Sequence, residues 1–159
     1  MIVTYLDSSA LVRLCVRDGD VEAVEAAMDE LPISSVLAEV EVPAAIHARL
    51  DRGQISASRH REQIELAGAM LDSVGMVGLS AKVRQEAVSI ASRTLVRSLD
   101  AIHVATAAVA GRQQRRRGNK LVFCTADRRQ AAAAAMALGQ ESVLVLPELP
   151  AAGAPAPRR

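Results

Sequence analysis

Short β-rich runs recur along this chain, and each hands over within a residue or two to a longer stretch with apolar positions at helical spacing. Residues 2–6, 121–125 and 142–146 are the clearest runs, and 32–35 and 76–79 are shorter ones. Between them the spacing predicts helices over 10–17, 21–31, 36–51, 56–73, 80–93, 99–111 and 127–138. Asp18-Gly19-Asp20 breaks the first helix, Gly53 stops the third and Gly139 ends the last. Pro43, inside 36–51, predicts a kink. Strand and helix in alternation argue for an α/β fold with a parallel sheet covered on both faces. Ligands of such sheets bind beyond the carboxyl ends of the strands. Chemistry is therefore expected just past residues 6 and 125.

Composition narrows the function classes. The chain has 159 residues and a mass of 16.8 kDa, which suits one domain plus a tail. The domain is expected over 1–146, and the Pro/Ala-rich 147–159, PELPAAGAPAPRR, reads as a frayed tail. Half of the residues are hydrophobic, enough for a real core. No apolar run approaches the roughly 18 residues of a membrane span. The start, MIVTYLDSSAL, has no basic n-region and carries Asp7 where a signal peptide is apolar, so a cytoplasmic protein is expected. The aromatics are Tyr5 and Phe123 alone, which excludes a binder that stacks bases on aromatic platforms. The net charge of +1 gives no global basic field, so any nucleic-acid contact must be a local patch. Cys15 and Cys124 lie far apart with no CxxC pair, and read as buried reduced thiols.

Carboxylates fall where the topology concentrates ligands. Asp7 follows the first run, and Asp127 comes two residues after Thr125. Asp100 opens the apolar 99–111 helix, with Ser98 as its expected N-cap. Glu41 lies in a helix that is apolar nearly all round, flanked at about 100° per residue by Leu37, Ala44, Ala45 and Ala48. Glu39, flanked by Ile46 and Leu50, is its rival, and periodicity does not choose between them. Each acid alone has an ordinary reading as a helix cap or a first-turn residue. Together, with no Lys or Arg beside Asp7 or Asp100 in the sequence, they also read as an oxygen-only site. Such a site relieves its repulsion with a hard divalent ion, Mg²⁺ or Mn²⁺.

Four segments resemble, in order, the signature segments of PIN-domain ribonucleases of the VapC toxin type: YLDSSALVRL, ISSVLAEVEVPAA, VRSLDAIHVATA and VFCTADRRQAAAA. The resemblance spans roughly residues 1 to 146. It implies a three-layer α/β/α sandwich with a central parallel sheet. It implies a Mg²⁺- or Mn²⁺-dependent endoribonuclease, held by a VapB-type antitoxin and usually a homodimer. The family's acids carry over to Asp7, Glu41, Asp100 and Asp127 as catalytic and metal-holding residues, which decides for Glu41 over Glu39. Thr125 and Ser8 match hydroxyl positions, and with Ser9 would orient carboxylates or water. Pro43, two residues after Glu41, departs from an undisturbed helix there. The reaction implied is hydrolysis of an RNA phosphodiester by water, leaving 5′-phosphate and 3′-hydroxyl ends.

Other features keep two readings each. His103, one turn after Asp100, is a general-base candidate or a packed helix histidine, and Thr106 on the same face is similar. Arg112, Arg115, Arg116, Arg117 and Lys120 form a basic run expected in the loop before residue 121. It is either a solvated loop or an RNA-phosphate patch. Ile64, Leu66, Met70 and Leu71 are core or an antitoxin groove. A catalytically silent PIN-like binding module is the alternative function. A phosphoacceptor domain also places an Asp after a parallel strand. The phosphatase pattern, however, wants an Asp where Ser9 stands, and the receiver pattern wants a late-strand Lys that is missing.

Overall fold

The computed structural model describes residues 1–16, 22, 25, 26 and 31–146. Five strands form one sheet: β1 (Ile2–Leu6), β2 (Leu31–Ser35), β3 (Gly75–Val77), β4 (Lys120–Thr125) and β5 (Val143–Val145). Their order is β3-β2-β1-β4-β5, and every pairing is parallel. Six α-helices among the described residues cover it: α1 (Ser8–Val16), α2 (Ala38–Asp51), α3 (Ala57–Ser73), α4 (Ala81–Arg93), α5 (Ser98–Arg116) and α6 (Arg128–Leu138). No helix of the described residues is long and apolar enough to cross a membrane.

Strand periodicity sorts the side chains into two cores. Val3, Tyr5, Leu121 and Phe123 face one side and meet Val83 and Ile90 of α4, the alanines of α5, and Ala133 and Ala134 of α6. Leu6 and Cys124 face the other side, where they pack with Leu11 and Cys15 of α1, Val42 and Ile46 of α2, and Met70 of α3. This is the expected α/β/α sandwich. The chain's two aromatic rings, Tyr5 and Phe123, stack across the β1–β4 pair with centroids 5.3 Å apart and planes 9° apart. Cys15 and Cys124 are free buried thiols, pushed up by burial to about 11 and about 12.

The strand order places a switch between β1 and β4. From β1 the chain proceeds to β2 and β3 on one side of it, and β4 and β5 lie on the other. The helix after β1 packs on one face and the helix after β4 on the opposite face. A crevice therefore opens at the carboxyl ends of these two central strands.

Several boundaries differ from the sequence expectation. The first helix begins at Ser8, two residues before the expected 10, because Asp7 caps it. Of the expected 21–31 helix, residues 22, 25 and 26 are described and helical, and Leu31 belongs to β2; the rest lies outside the described residues. Helix α2 runs through Pro43 without ending there. Ser98 is the first residue of α5 rather than its cap; Arg97 holds the N-cap position without a side-chain hydrogen bond. The same helix runs on to Arg116, five residues past 111. Gln and Arg favour helix, and cations suit the last turn, so Arg112, Arg115 and Arg116 extend the helix instead of forming a loop. Gly139 ends α6 at φ +101°, where a side chain is disfavoured. The 147–159 tail lies outside the described residues.

Phe123 is fully buried and Leu95 is 96% exposed. Phe123→Ala should cost about 3–5 kcal/mol of stability, and Leu95→Ala less than about 0.5 kcal/mol. Chemical denaturation of the two variants checks this.

Candidate active site

Asp7 leaves the end of β1 and is 2% exposed. The Ser9 hydroxyl lies 2.7 and 2.9 Å from its two carboxylate oxygens. The Ala10 N–H donates to Oδ1 at 2.8 Å, and Thr125 Oγ1 donates to Oδ2 at 2.7 Å. Thr125 reaches it because β1 and β4 pair in register, Leu6 with Cys124, and Asp7 N–H continues the ladder to the Cys124 carbonyl at 3.1 Å. Asp7 is thus both the cap of α1 and a candidate site residue. Burial holds its carboxyl above the ordinary carboxylate range, and the Thr125, Ala10 and Ser9 donors pull it only part of the way back.

Ser9 ties two loops together, since its hydroxyl also accepts the Ala126 N–H at 2.9 Å. Asp127 follows and caps α6, accepting the N–H groups of Arg129 at 2.7 Å and Gln130 at 3.2 Å. Asp100 stands in the first turn of α5. Burial and the neighbouring Asp127 charge both hold its carboxyl up, and Arg97 counters them only in part. Arg97, one turn before Asp100, is the neutralising neighbour that the sequence reading overlooked. Gln130 Nε2 reaches the Asp100 carbonyl at 3.5 Å, so the first turns of α5 and α6 face each other.

Glu41 comes from α2, and the structure separates it from Glu39. Glu39 is exposed, whereas Glu41 is half-buried and turned to the crevice. Its Oε2 accepts the Ser8 hydroxyl at 2.5 Å and faces His103 Nε2 at 2.6 Å. Burial pushes the Glu41 carboxyl up, but the His103 and Ser8 hydrogen bonds outweigh it and hold the group below its usual value. An open cleft of about 520 Å³ lies beside it, lined by Ser8, Ser9, Val12, Arg13, Ala44, Ala45 and Ala126. A second cleft, with Asp127, Arg128 and Arg129, adjoins it through Ser9 and Ala126.

His103 is buried at 2% exposure and lies within electrostatic reach of Asp7, Glu41 and Asp100. Its Nδ1 lies 2.8 Å from the Tyr5 hydroxyl. Burial and then the Asp7 charge push that phenol well above its ordinary pKa, so it stays a proton donor. Thr106 donates to the Ile102 carbonyl at 2.7 Å and is fully buried. Tyr5 and Gln130 are participants that the sequence reading did not single out. Tyr5 alone carried a signal, as the one tyrosine, two residues before Asp7 on a strand otherwise made of Ile, Val, Thr and Leu.

The basic run lies elsewhere. Lys120 begins β4, whereas Thr125 ends it, a span of about 16 Å at strand rise. Arg115 and Lys120 line a cavity of about 280 Å³ with Glu141 and Ser142 at that far end. Arg112 is paired with Glu86 at 2.7 Å.

The donor chemistry suits one hard divalent cation: four carboxylates, oxygen ligands only, and a like-charged Asp100–Asp127 pair. Glu41 adds an oxygen, Oε1, with no hydrogen-bond partner among the described residues. The fit is one of chemistry and not of a ready-made cage, because no three acidic or imidazole side chains of the described residues converge closely enough to enclose an ion.

The raised Asp7 pKa means that the folded chain binds this proton more tightly than the unfolded chain. Stability is then lost as pH rises through the folded-state pKa. In metal-free buffer Asp7→Asn should therefore melt above wild type at neutral pH, and the gap should close below about pH 3.9. Thermal denaturation followed by circular dichroism across pH tests the sign.

Comparison with known proteins bears on the fold and the family. Among curated proteins none matches the chain. Solved structures with the same fold include a toxin-antitoxin complex from Klebsiella pneumoniae, at 20% identity and a TM-score of 0.60, covering 92% of this chain and 99% of that one. A Pyrobaculum aerophilum protein is similar at 19% identity and a TM-score of 0.57, covering 88% of this chain and 85% of its own. The sequence signature of the PIN domain matches residues 4–136, from β1 through most of α6, and so the chain belongs to the PIN domain family.

Proposed function

We propose that the chain is the toxin of a toxin–antitoxin pair, a VapC-type endoribonuclease that hydrolyses RNA with Mg²⁺ or Mn²⁺. One observation carries this reading. Asp7 and Asp127 follow the central strands β1 and β4 of a PIN domain, Glu41 reaches the same crevice from α2, and Asp100 lies near enough to Asp127 for the two like charges to repel. PIN domains are generally nucleases. Asp7, Glu41 and Asp100 would hold the cation, with Asp127 beside Asp100. When bound, the ion supplies positive charge against the phosphate and a more acidic water.

The chain's own residues prepare that site. Thr125, Ser9 and the Ala10 N–H orient Asp7. Ser8 and His103 orient Glu41 through Oε2. Asp127 spends one oxygen, Oδ1, on the α6 cap. The His103 ring is buried and bonded on both nitrogens, which favours packing and orientation over the role of general base.

A VapB-type antitoxin is the proposed partner, on the likeness to the Klebsiella toxin-antitoxin complex. A homodimer is proposed with it. Met70 is core, and Ile64 and Leu71 pack against that core, so an antitoxin groove on α3 is left with little beyond the 37%-exposed Leu66.

Expression of wild type should arrest growth, and Asp7→Asn should not. Purified wild type should leave 5′-phosphate and 3′-hydroxyl RNA ends and lose activity in EDTA. Cyclic 2′,3′-phosphate ends, or full activity in EDTA, would refute the reading.

The distant basic cluster is proposed to hold RNA backbone away from the cut. Alanine at Arg115, Arg116 and Arg117 should weaken binding of long RNA. The salt dependence should flatten by roughly 0.7 in log–log slope for every phosphate these arginines neutralise. Cleavage of a short oligonucleotide should be unaffected. Filter binding at several salt concentrations measures the slope, and an unchanged slope would leave the cluster as a solvated helix end.

A further inference from the structure

A line of hydrogen bonds crosses the protein interior from strand to crevice. Tyr5 is fully buried on β1, and its hydroxyl lies 2.8 Å from His103 Nδ1. The other imidazole nitrogen, Nε2, lies 2.6 Å from Glu41 Oε2. Ser8 donates to the same oxygen, and its Oγ is 3.1 Å from Nε2. Tyr5, His103 and Glu41 belong to β1, α5 and α2, so no single element can set the line alone.

The proton count along the line is set from its carboxylate end. A phenol donates its one proton, and a neutral imidazole carries one proton on one nitrogen. The ionised Glu41 carboxylate only accepts, so the ring proton belongs on Nε2, facing it, and Nδ1 is left to accept the Tyr5 proton. The other tautomer turns a lone pair toward Oε2. Tyr5 therefore supports, from the far side of the ring, the tautomer in which His103 donates to Glu41. Both donors to Glu41 fall on Oε2, and Oε1 has no partner among the described residues.

We infer that Tyr5 and His103 are positioning residues that clamp Glu41 by one oxygen and present Oε1 alone to the divalent cation. This rests on Glu41 being a ligand, as proposed above. The clamp matters on α2 in particular. Pro43 lacks an N–H, so the Glu39 carbonyl goes without its usual intrahelical partner in the turn that carries Glu41. The Glu41 side chain is instead tied to two other elements.

The test is calorimetric titration of metal-free protein with Mn²⁺ alone, without RNA. His103→Ala should weaken Mn²⁺ binding about 10- to 100-fold, and His103→Gln, which returns a donor near Nε2, should recover part of the loss. Tyr5→Phe keeps the ring and its stack on Phe123 and removes only the hydroxyl. It should weaken binding about threefold or more, the scale of one net hydrogen bond. In a His103→Ala background the same change should have no further effect, because its route to Glu41 is gone. Melting curves of each variant show that it is folded before titration.

Wild-type affinity in folded Tyr5→Phe and His103→Ala, with binding lost in Glu41→Gln, would overturn the clamp and keep Glu41 as a ligand. Unchanged binding in Glu41→Gln would overturn both. A Tyr5→Phe effect that persists in full without His103 would also overturn the clamp, since the hydroxyl would then act by another route.

Discussion

The parallel pairing of β1 with β4 is the constraint on which the rest depends. Its register sets Tyr5 against Phe123, and the next step on the same face sets Asp7 against Thr125. The lower pair is an aromatic stack in the core, and the upper pair is a hydrogen bond at the crevice. One column of side chains thus runs from apolar interior to charged edge. A slip of one residue would turn both pairs to opposite faces, so core burial enforces the register that the site needs. That is how a 2%-exposed carboxylate is tolerated: the strand that buries it also lies beside the strand that supplies its donor.

The four acids divide into two kinds. Asp7 and Glu41 are held by hydroxyl, amide and imidazole donors, and their geometry is fixed before any ligand arrives. Asp100 and Asp127 repel each other, with Arg97 a partial counterweight. A site built wholly of the first kind would leave no repulsion for the proposed cation to relieve. One built wholly of the second would cost the fold more repulsion than its caps return. Asp127 shows the compromise most directly, because it caps α6 with one oxygen while its charge raises Asp100.

What was legible in the sequence follows the range of the interactions. Strand ends and helix caps are local, so Asp7 and Asp127 could be placed at one sheet edge from the runs before them. Glu41 could not be separated from Glu39 by spacing, because the helix is amphipathic only weakly and the choice is made by His103, 62 residues away. Tyr5 and Gln130 escaped for the same reason: what they touch lies on other elements. The basic run was misplaced by a competing preference. Its charge suggested a loop, but glutamine and arginine propagate helix well, and α5 continued through them.

Helix α5 joins these threads. Asp100 stands at its amino end and Arg115 and Arg116 at its carboxyl end, so both complement the helix dipole. Between them, Ala101, Ala105, Ala107 and Ala108 are almost wholly buried. Small side chains there let α5 approach the sheet closely enough for His103 to meet Tyr5 from one side and Glu41 from the other. A bulkier stretch would hold the helix off the sheet and break that line at both ends. The shortage of aromatic residues thus has a structural counterpart: a core of alanine and valine keeps α5 close, and the one tyrosine is placed where its hydroxyl can reach the helix.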